Sequence, residues 1–369
     1  MKKTIFFILT CLALTGCQSP NTEDKEKTLK IGVITPLSGN AAVYGEETQK
    51  ILSQTLEKIN LEGGYNNKDV ELIYEDGKCS GSDAVTAFQK LVDIDKVDFI
   101  MPWCSNESLA VSELATQYQM LSVTGTSSTP NLEGKSPFLY SFSYSDTDIS
   151  NAITDQLKDF DKIAIISEQN EYNLGIKQAT EATLDDKVVI SESFESTTTD
   201  FRNIIEKVLK SEPDAILLNP FPGETATSLA KQLNEKIDSL QDIQLVSQIA
   251  YLVDDSRKDF KELAEGMIIV DAPKVLEGKG QEFIQSIKET KGEIPMLEGY
   301  LTLSLHDALY NLVEAARNAG TDSIAARDYL ISNKAKGLAT EGLKFEGKNF
   351  IQGFKAGVFK VTEGKATPM

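Results

Sequence analysis

Two short segments concentrate groups able to hold a small polar molecule. Pro102-Trp103-Cys104-Ser105-Asn106 places a hydroxyl and an amide where a helical pattern carrying Leu109, Leu114 and Ala115 begins. Ser105 or Asn106 can cap that helix, and a helix start with free N–H groups beside a hydroxyl suits a carboxylate. Thr124-Gly125-Thr126-Ser127-Ser128-Thr129-Pro130 offers donors and acceptors without charge, which suits a small polar ligand. Tyr172 and Phe221 each follow an apolar run, where a ring can either close over a ligand or brace its own loop. An ordinary N-cap and a solvated turn use the same residue types, so these segments gain meaning only from the elements that position them.

Covalent and phosphate chemistry are poorly supplied. The sequence has no G-x-G-x-x-G after a strand, no G-x-x-x-x-G-K-[ST] and no G-x-S-x-G. Its single histidine, His306, lies on a helical pattern and is expected to be structural, which removes mechanisms that need two. Carboxylate pairs such as Asp185-Asp186 and Asp254-Asp255 are expected on solvated surface. With no C-x-x-C and one histidine, no metal site is expected, and no cofactor. The chain is expected not to be an enzyme.

Apolar runs bounded by turn residues predict strands at Lys30 to Ile34, Val70 to Tyr74, Val97 to Met101, Met120 to Val123, Lys162 to Ile166, Ala215 to Leu218 and Gln244 to Val246. Between them, stripes such as Ile51, Leu52, Leu56 and Ile59, or Ala84, Phe88, Leu91 and Val92, predict helices. This alternation implies βαβ crossovers and parallel sheets covered on both faces, an α/β fold. A long helical pattern from Gly299 to Asn318 precedes two strand-like pieces, Leu343 to Phe345 and Gly357 to Val361. A body of about 340 residues is long for one core and is expected to divide into two lobes. Ligands of open α/β sheets sit at the carboxyl ends of strands, so the loops after Ile34, Met101, Val123, Ile166, Leu218 and Val246 matter most.

The N-terminus indicates export. Lys2 and Lys3 precede an apolar run from Ile5 to Leu14 that is too short for a stable membrane span, followed by Leu14-Thr15-Gly16-Cys17. Residues 1–16 read as a signal peptide, with Cys17 resembling the lipid-modified first residue of a bacterial lipoprotein. Residues 17–28 carry no large apolar side chain and are expected to form a flexible tether. The formal charge of −19 argues against nucleic acid and against a basic membrane-binding patch. In an exported protein Cys79 and Cys104 read as a disulfide, with two free thiols or a metal site as weaker alternatives. Closing that loop stabilises a fold by roughly 3 kcal/mol.

These residues carry a resemblance. Ile31-Gly32-Val33 through Pro36-Leu37-Ser38-Gly39 and Tyr44-Gly45, the Cys79/Cys104 pair, and Gly353-Phe354-Lys355-Ala356-Gly357-Val358-Phe359 together resemble the type I periplasmic binding proteins of the branched-chain amino-acid family. The likeness covers nearly the whole body after the tether. It implies two Rossmann-like lobes, 29–143 with 274–353 and 144–273 with 354–369. Three hinge crossings would join them, near Phe142 to Asp146, Val270 to Pro273 and Gly353 to Ala356. It also implies a ligand between the lobes, with Ser105 and the loop Thr126, Ser127 and Ser128 at its carboxylate. Tyr44, Tyr172 and Phe221 become cleft aromatics, and Trp103 an apolar wall.

One position departs from the family. Its acidic partner for an α-ammonium falls on Ile249, which cannot hold a cation, whereas the adjacent Gln248 could receive an amide or hydroxyl. The expected function is therefore a solute-binding lipoprotein of an ABC importer, monomeric, held at the periplasm or cell surface by Cys17. Its ligand would be a branched-chain amino acid or a related amide or carboxylate, and its protein partner a permease. A lipoprotein of the same fold acting as a sensor or as a partner of a cell-envelope enzyme is the alternative.

Overall fold

The computed structural model describes residues 28–248, 261–272 and 278–369. The leader, Cys17 and its tether, Ile249, Asp254, Asp255 and Pro273 lie outside the described residues.

The first sheet is built from β1 (Lys30–Thr35), β2 (Glu71–Asp76), β3 (Phe99–Pro102), β4 (Ser122–Thr124) and β5 (Leu139–Ser141), in the order β2-β1-β3-β4-β5. All its pairings are parallel. Burial on both faces explains the continuous apolar runs, because a parallel sheet has no wet side. Ile31 and Val33 pack beneath the helices Ala42–Leu61, Lys279–Lys291 and Tyr300–Ala319, while Ile34 and Ile100 pack with Ala84, Phe88 and Val111 on the other face.

The second sheet comprises β6 (Ile163–Glu168), β7 (Val188–Phe194), β8 (Ala215–Asn219), β9 (Gln244–Ser247), β10 (Ile268–Asp271), β11 (Gly357–Thr362) and β12 (Lys365–Pro368). Its order is β12-β11-β10-β9-β8-β6-β7. The five strands from β6 to β10 pair in parallel, but β11 and β12 are antiparallel, so this sheet is mixed where wholly parallel sheets are expected. For β12 the cause is connectivity: a two-residue turn at Glu363-Gly364 can return the chain only antiparallel to β11. Helices Arg202–Lys210 and Glu224–Asn234 cover one face, Asp146–Leu157 and Glu171–Leu184 the other.

Leu343 to Phe345 is not a strand. Lys344 makes a single bridge to Gln352, and Phe345 turns into the first core edge-to-face with Tyr140 and Phe142. His306 is buried in the helix Tyr300–Ala319, its Nδ1 2.9 Å from Asp307 Oδ1 and its ring stacked on Tyr310. Asp307 accepts the N–H groups of Leu338, Ala339 and Thr340, so the pair buckles a loop to a helix. Asp185 and Asp186 are exposed.

Where the chain passes from one sheet to the other, an aromatic cluster joins separate segments. Tyr144 lies 4.7 Å from Phe354 and 5.9 Å from Tyr300, between ring centres, and its hydroxyl lies 3.5 Å from Asp271 Oδ1. Burial pushes the Asp271 carboxyl up to about 7, against the opposing backbone N–H of Ala272 and the Tyr144 hydroxyl. Among the described residues no helix is long and apolar enough to cross a membrane.

Candidate functional site

A cleft of about 850 Å³ opens between the two sheets. It is lined by the loops at the carboxyl ends of β1, β3, β4, β6, β7 and β8, where an open α/β sheet presents its ligands. Six strands thus contribute to one cavity, three from each sheet.

Cys79 and Cys104 are joined as a disulfide with Cα atoms 5.3 Å apart, and this bond shapes the wall on the first sheet's side. Helix Ser105–Tyr118 begins with Cys104 as N-cap, so Ser105 is its first helical residue and not the cap expected from its hydroxyl. Capping falls to Glu107. Its Oε2 accepts the N–H groups of Trp103 (3.1 Å) and Cys104 (2.8 Å), and its Oε1 accepts that of Cys79 (3.0 Å). One carboxyl therefore ties both half-cystines to the helix start and holds Ser105 at the cleft. Burial raises its pKa to about 7, with those three N–H donors pulling the other way.

The β4 loop reaches the cleft because Gly125 lets it lie against a helix. A Cβ there would come within 2.7 Å of the Leu305 Cα and Ser304 carbonyl oxygen, and Ser304 Oγ donates to the Gly125 carbonyl at 2.6 Å. Thr126 and Ser128 line the cavity. Thr126 Oγ1 donates to the Trp103 carbonyl (2.7 Å), which ties the two loops together. The N–H groups of Thr126 and Ser127 both donate to Thr124 Oγ1, which leaves fewer free donors than a hydroxyl-rich loop promises. Ser127 is buried and does not line the cleft; its carbonyl accepts from Ser141 Oγ.

Aromatic side chains close the space. Tyr44 lies 5.4 Å from Trp103 and 5.6 Å from Phe221 between ring centres, and Tyr172 stands edge-on to Phe221 at 6.2 Å. Tyr44 sits there because Gly45 lets the helix Ala42–Leu61 start against the β1 loop, where a Cβ would fall 1.9 Å from the Pro36 carbonyl oxygen. The Tyr44 hydroxyl donates across the cleft to the Pro222 carbonyl at 3.0 Å. A second contact crosses at the rim, where the Glu171 N–H donates to Asn106 Oδ1 at 3.3 Å. The Trp103 indole N–H is buried with no acceptor among the described residues.

Gln248 is fully buried and stands behind the cleft rather than in it. Its Oε1 accepts from the Tyr172 hydroxyl (3.1 Å) and its Nε2 donates to the Pro220 carbonyl, so it holds a ring and a loop in place. Tyr44, Trp103, Ser105, Thr126, Ser128, Tyr172 and Phe221 are brought together at the cavity.

Many of the lining residues were not anticipated, among them the loop after β7 (Ser196 to Thr199), and two bear on the cleft's chemistry. Tyr144 enters from the crossing segment, and Glu168 from the end of β6, which runs two residues past Ile166. Glu168 is 3% exposed and its Oε2 accepts the Phe221 N–H at 2.8 Å. Burial raises its pKa, opposed by that N–H and by Asn170. Extending the strand signal through Ser167 would have placed this acid at the carboxyl edge.

Residues 28–353 match the family model described as periplasmic binding protein. An amino acid binding protein of Pseudomonas aeruginosa is 28% identical over 215 residues, a match spanning 56% of this chain and 57% of the relative's length. Among solved structures, a branched-chain amino acid transporter substrate binding protein of Streptococcus pneumoniae in complex with isoleucine aligns with TM-score 0.78 at 21% identity. That alignment covers 93% of this chain and all of the other. A solute binding protein of an ABC transporter from R. palustris, in complex with 4-hydroxybenzoate, aligns with TM-score 0.81 at 16% identity, covering 93% and 96%. The chain belongs to the periplasmic binding protein family.

Proposed function

We propose that this protein is the solute-binding component of an ABC importer, capturing a small carboxylate-bearing solute, a branched-chain amino acid or a close analogue, between two lobes. The observation that carries this reading is the cleft itself. A helix start with Ser105 and the hydroxyls of Thr126 and Ser128 face it from one sheet, while Tyr172, Phe221 and Glu168 face it from the other. A helix N-terminus with convergent hydroxyls binds a carboxylate, and the surrounding rings take an apolar side chain.

In this reading the lobes are 29–143 with 274–353 and 144–273 with 354–369, hinged at the three crossings. Solute docks first on Ser105 and the β4 loop. Closure then brings Tyr172 and Phe221 over it and expels water, which strengthens the polar contacts. The bond from Tyr44 to Pro222 belongs to the closed form, and a permease recognises that form. Cys17, once lipidated, holds the monomer at the outer face of a membrane.

A thermal-melt screen against amino acids, amides, urea and small carboxylic acids tests this. A solute at one hundred times its Kd adds about 2.7 kcal/mol of stability, a rise of several degrees. A rise with one chemical class supports solute capture. No rise with any class removes it and favours the docking role, as a partner of a cell-envelope enzyme.

A further inference from the structure

Among the described residues, one buried side-chain donor without a partner belongs to a residue that lines the cleft, and it is the Trp103 indole N–H. Trp103 is 7% exposed, and an indole N–H buried to that degree ordinarily finds an acceptor because leaving it dry is costly.

The fold fixes this donor without engaging it. The Trp103 backbone is held on both sides, its N–H by Glu107 Oε2 and its carbonyl by Thr126 Oγ1. Its ring is tilted 41° against that of Tyr44, 5.4 Å away. Met296 and Leu301, which pack on the same core cluster and line the same cavity, carry no oxygen. Trp103 precedes Ser105 by two residues, so the donor stands at a fixed offset from the groups proposed to take the carboxylate. A wall expected to be wholly apolar therefore brings a hydrogen-bond donor to the cleft.

We propose that Trp103 is a specificity-determining residue, whose indole N–H donates to an oxygen on the side chain of the solute, a hydroxyl or amide carbonyl standing where a branched-chain amino acid has a methyl group. The inference rests on the solute-capture reading and narrows it from hydrocarbon side chains to their polar analogues. A hydrocarbon at that place leaves the N–H unpaired when the cleft closes, whereas an oxygen satisfies it, and the difference sets the preference.

Calorimetric titrations with two pairs of similar shape test it: L-threonine beside L-valine, and L-asparagine beside L-leucine. The wild type should prefer the oxygen-bearing member of at least one pair by about fivefold or more. Trp103→Phe removes the donor and keeps an aromatic wall. Because Trp103 is the only tryptophan, biosynthetic replacement by benzothienylalanine also removes the N–H, with hardly any change of shape. Either change should bring the members of that pair to within about twofold, whereas lost packing alone weakens both and keeps their ratio. Nitrogen-15 labelling of tryptophan gives one indole resonance, which should move further downfield with the preferred solute than with its hydrocarbon partner. A wild type that is indifferent within both pairs, or prefers the hydrocarbons, overturns the role of Trp103 and leaves solute capture standing. So does a preference that survives benzothienylalanine, or an indole resonance that no bound solute moves, since the donor then serves the fold. Binding of none of the four removes this inference together with the amino-acid form of the capture reading.

Discussion

Replacing Tyr44 by phenylalanine separates closure from folding. The Tyr44 hydroxyl makes one buried bond across the cleft, 3.0 Å to the Pro222 carbonyl, and the ring keeps its contacts with Trp103 and Phe221 when the oxygen is removed. A neutral hydrogen bond of this kind contributes about 0.5–1.5 kcal/mol net. If the bond exists only when the lobes meet, that energy leaves the open–closed equilibrium and not the folding equilibrium. Apparent affinity scales with the closed fraction, so Tyr44→Phe should weaken solute binding by about twofold to twelvefold, using RT of about 0.59 kcal/mol. Pro222 is buried, which places the expectation toward the upper end because its carbonyl is left dry in the closed form. Calorimetric titration gives the affinity, and small-angle scattering of the unliganded protein should show a larger radius of gyration in the variant. The reasoning is refuted if affinity and radius are both unchanged. It is refuted equally if the unliganded melt falls by as much free energy as binding does, since the hydroxyl would then support the fold.

Other perturbations follow from the same geometry. Glu107→Ala leaves three N–H groups, two buried and one part-buried, without an acceptor and should destabilise the protein by about 2 kcal/mol or more in urea unfolding, with a parallel loss of solute binding as Ser105 shifts. Reduction of the Cys79–Cys104 bond, which closes a separation of 25 residues, should cost roughly 3 kcal/mol in the same assay. Ser105→Ala with Ser128→Ala should abolish detectable binding in a titration while leaving the melt of the unliganded protein within a few degrees. Asp271 titrates at about 7 when folded and near 4 when unfolded, so the folded state holds the extra proton between those values. Its contribution is therefore present at low pH and lost as pH rises through about 7. Melts should show the wild type losing stability relative to Asp271→Asn as pH rises over that window, with no further change above it.

The interior strands were legible because a parallel sheet buried on both faces demands unbroken apolar runs, as in β1, β6 and β8. Strands that broke this rule were missed. β7 sits at a sheet edge with its residues half-exposed, β5 has three residues, and β12 is short and wet. Leu343 to Phe345 misled in the other direction, since an alternating pattern also arises when one ring turns inward from a loop. At the site, loop position was legible and hydrogen-bond assignment was not. Spacing could not show that Thr124 Oγ1 would absorb two N–H donors of its own loop, nor that Gln248 would stand behind Tyr172. Glu168 escaped because an apolar-run criterion ended its strand at Ile166, two residues before the acid.

The most direct test of solute capture uses Trp103, the only tryptophan in the chain, which lies in the cleft 5.4 Å from Tyr44. Its emission should change saturably, at one equivalent per chain, on titration with an amino acid identified in the melt screen, and the change should vanish in the Ser105/Ser128 double variant. Emission that stays constant while the same solute raises the melting temperature would place the solute elsewhere and contradict the cleft as its site.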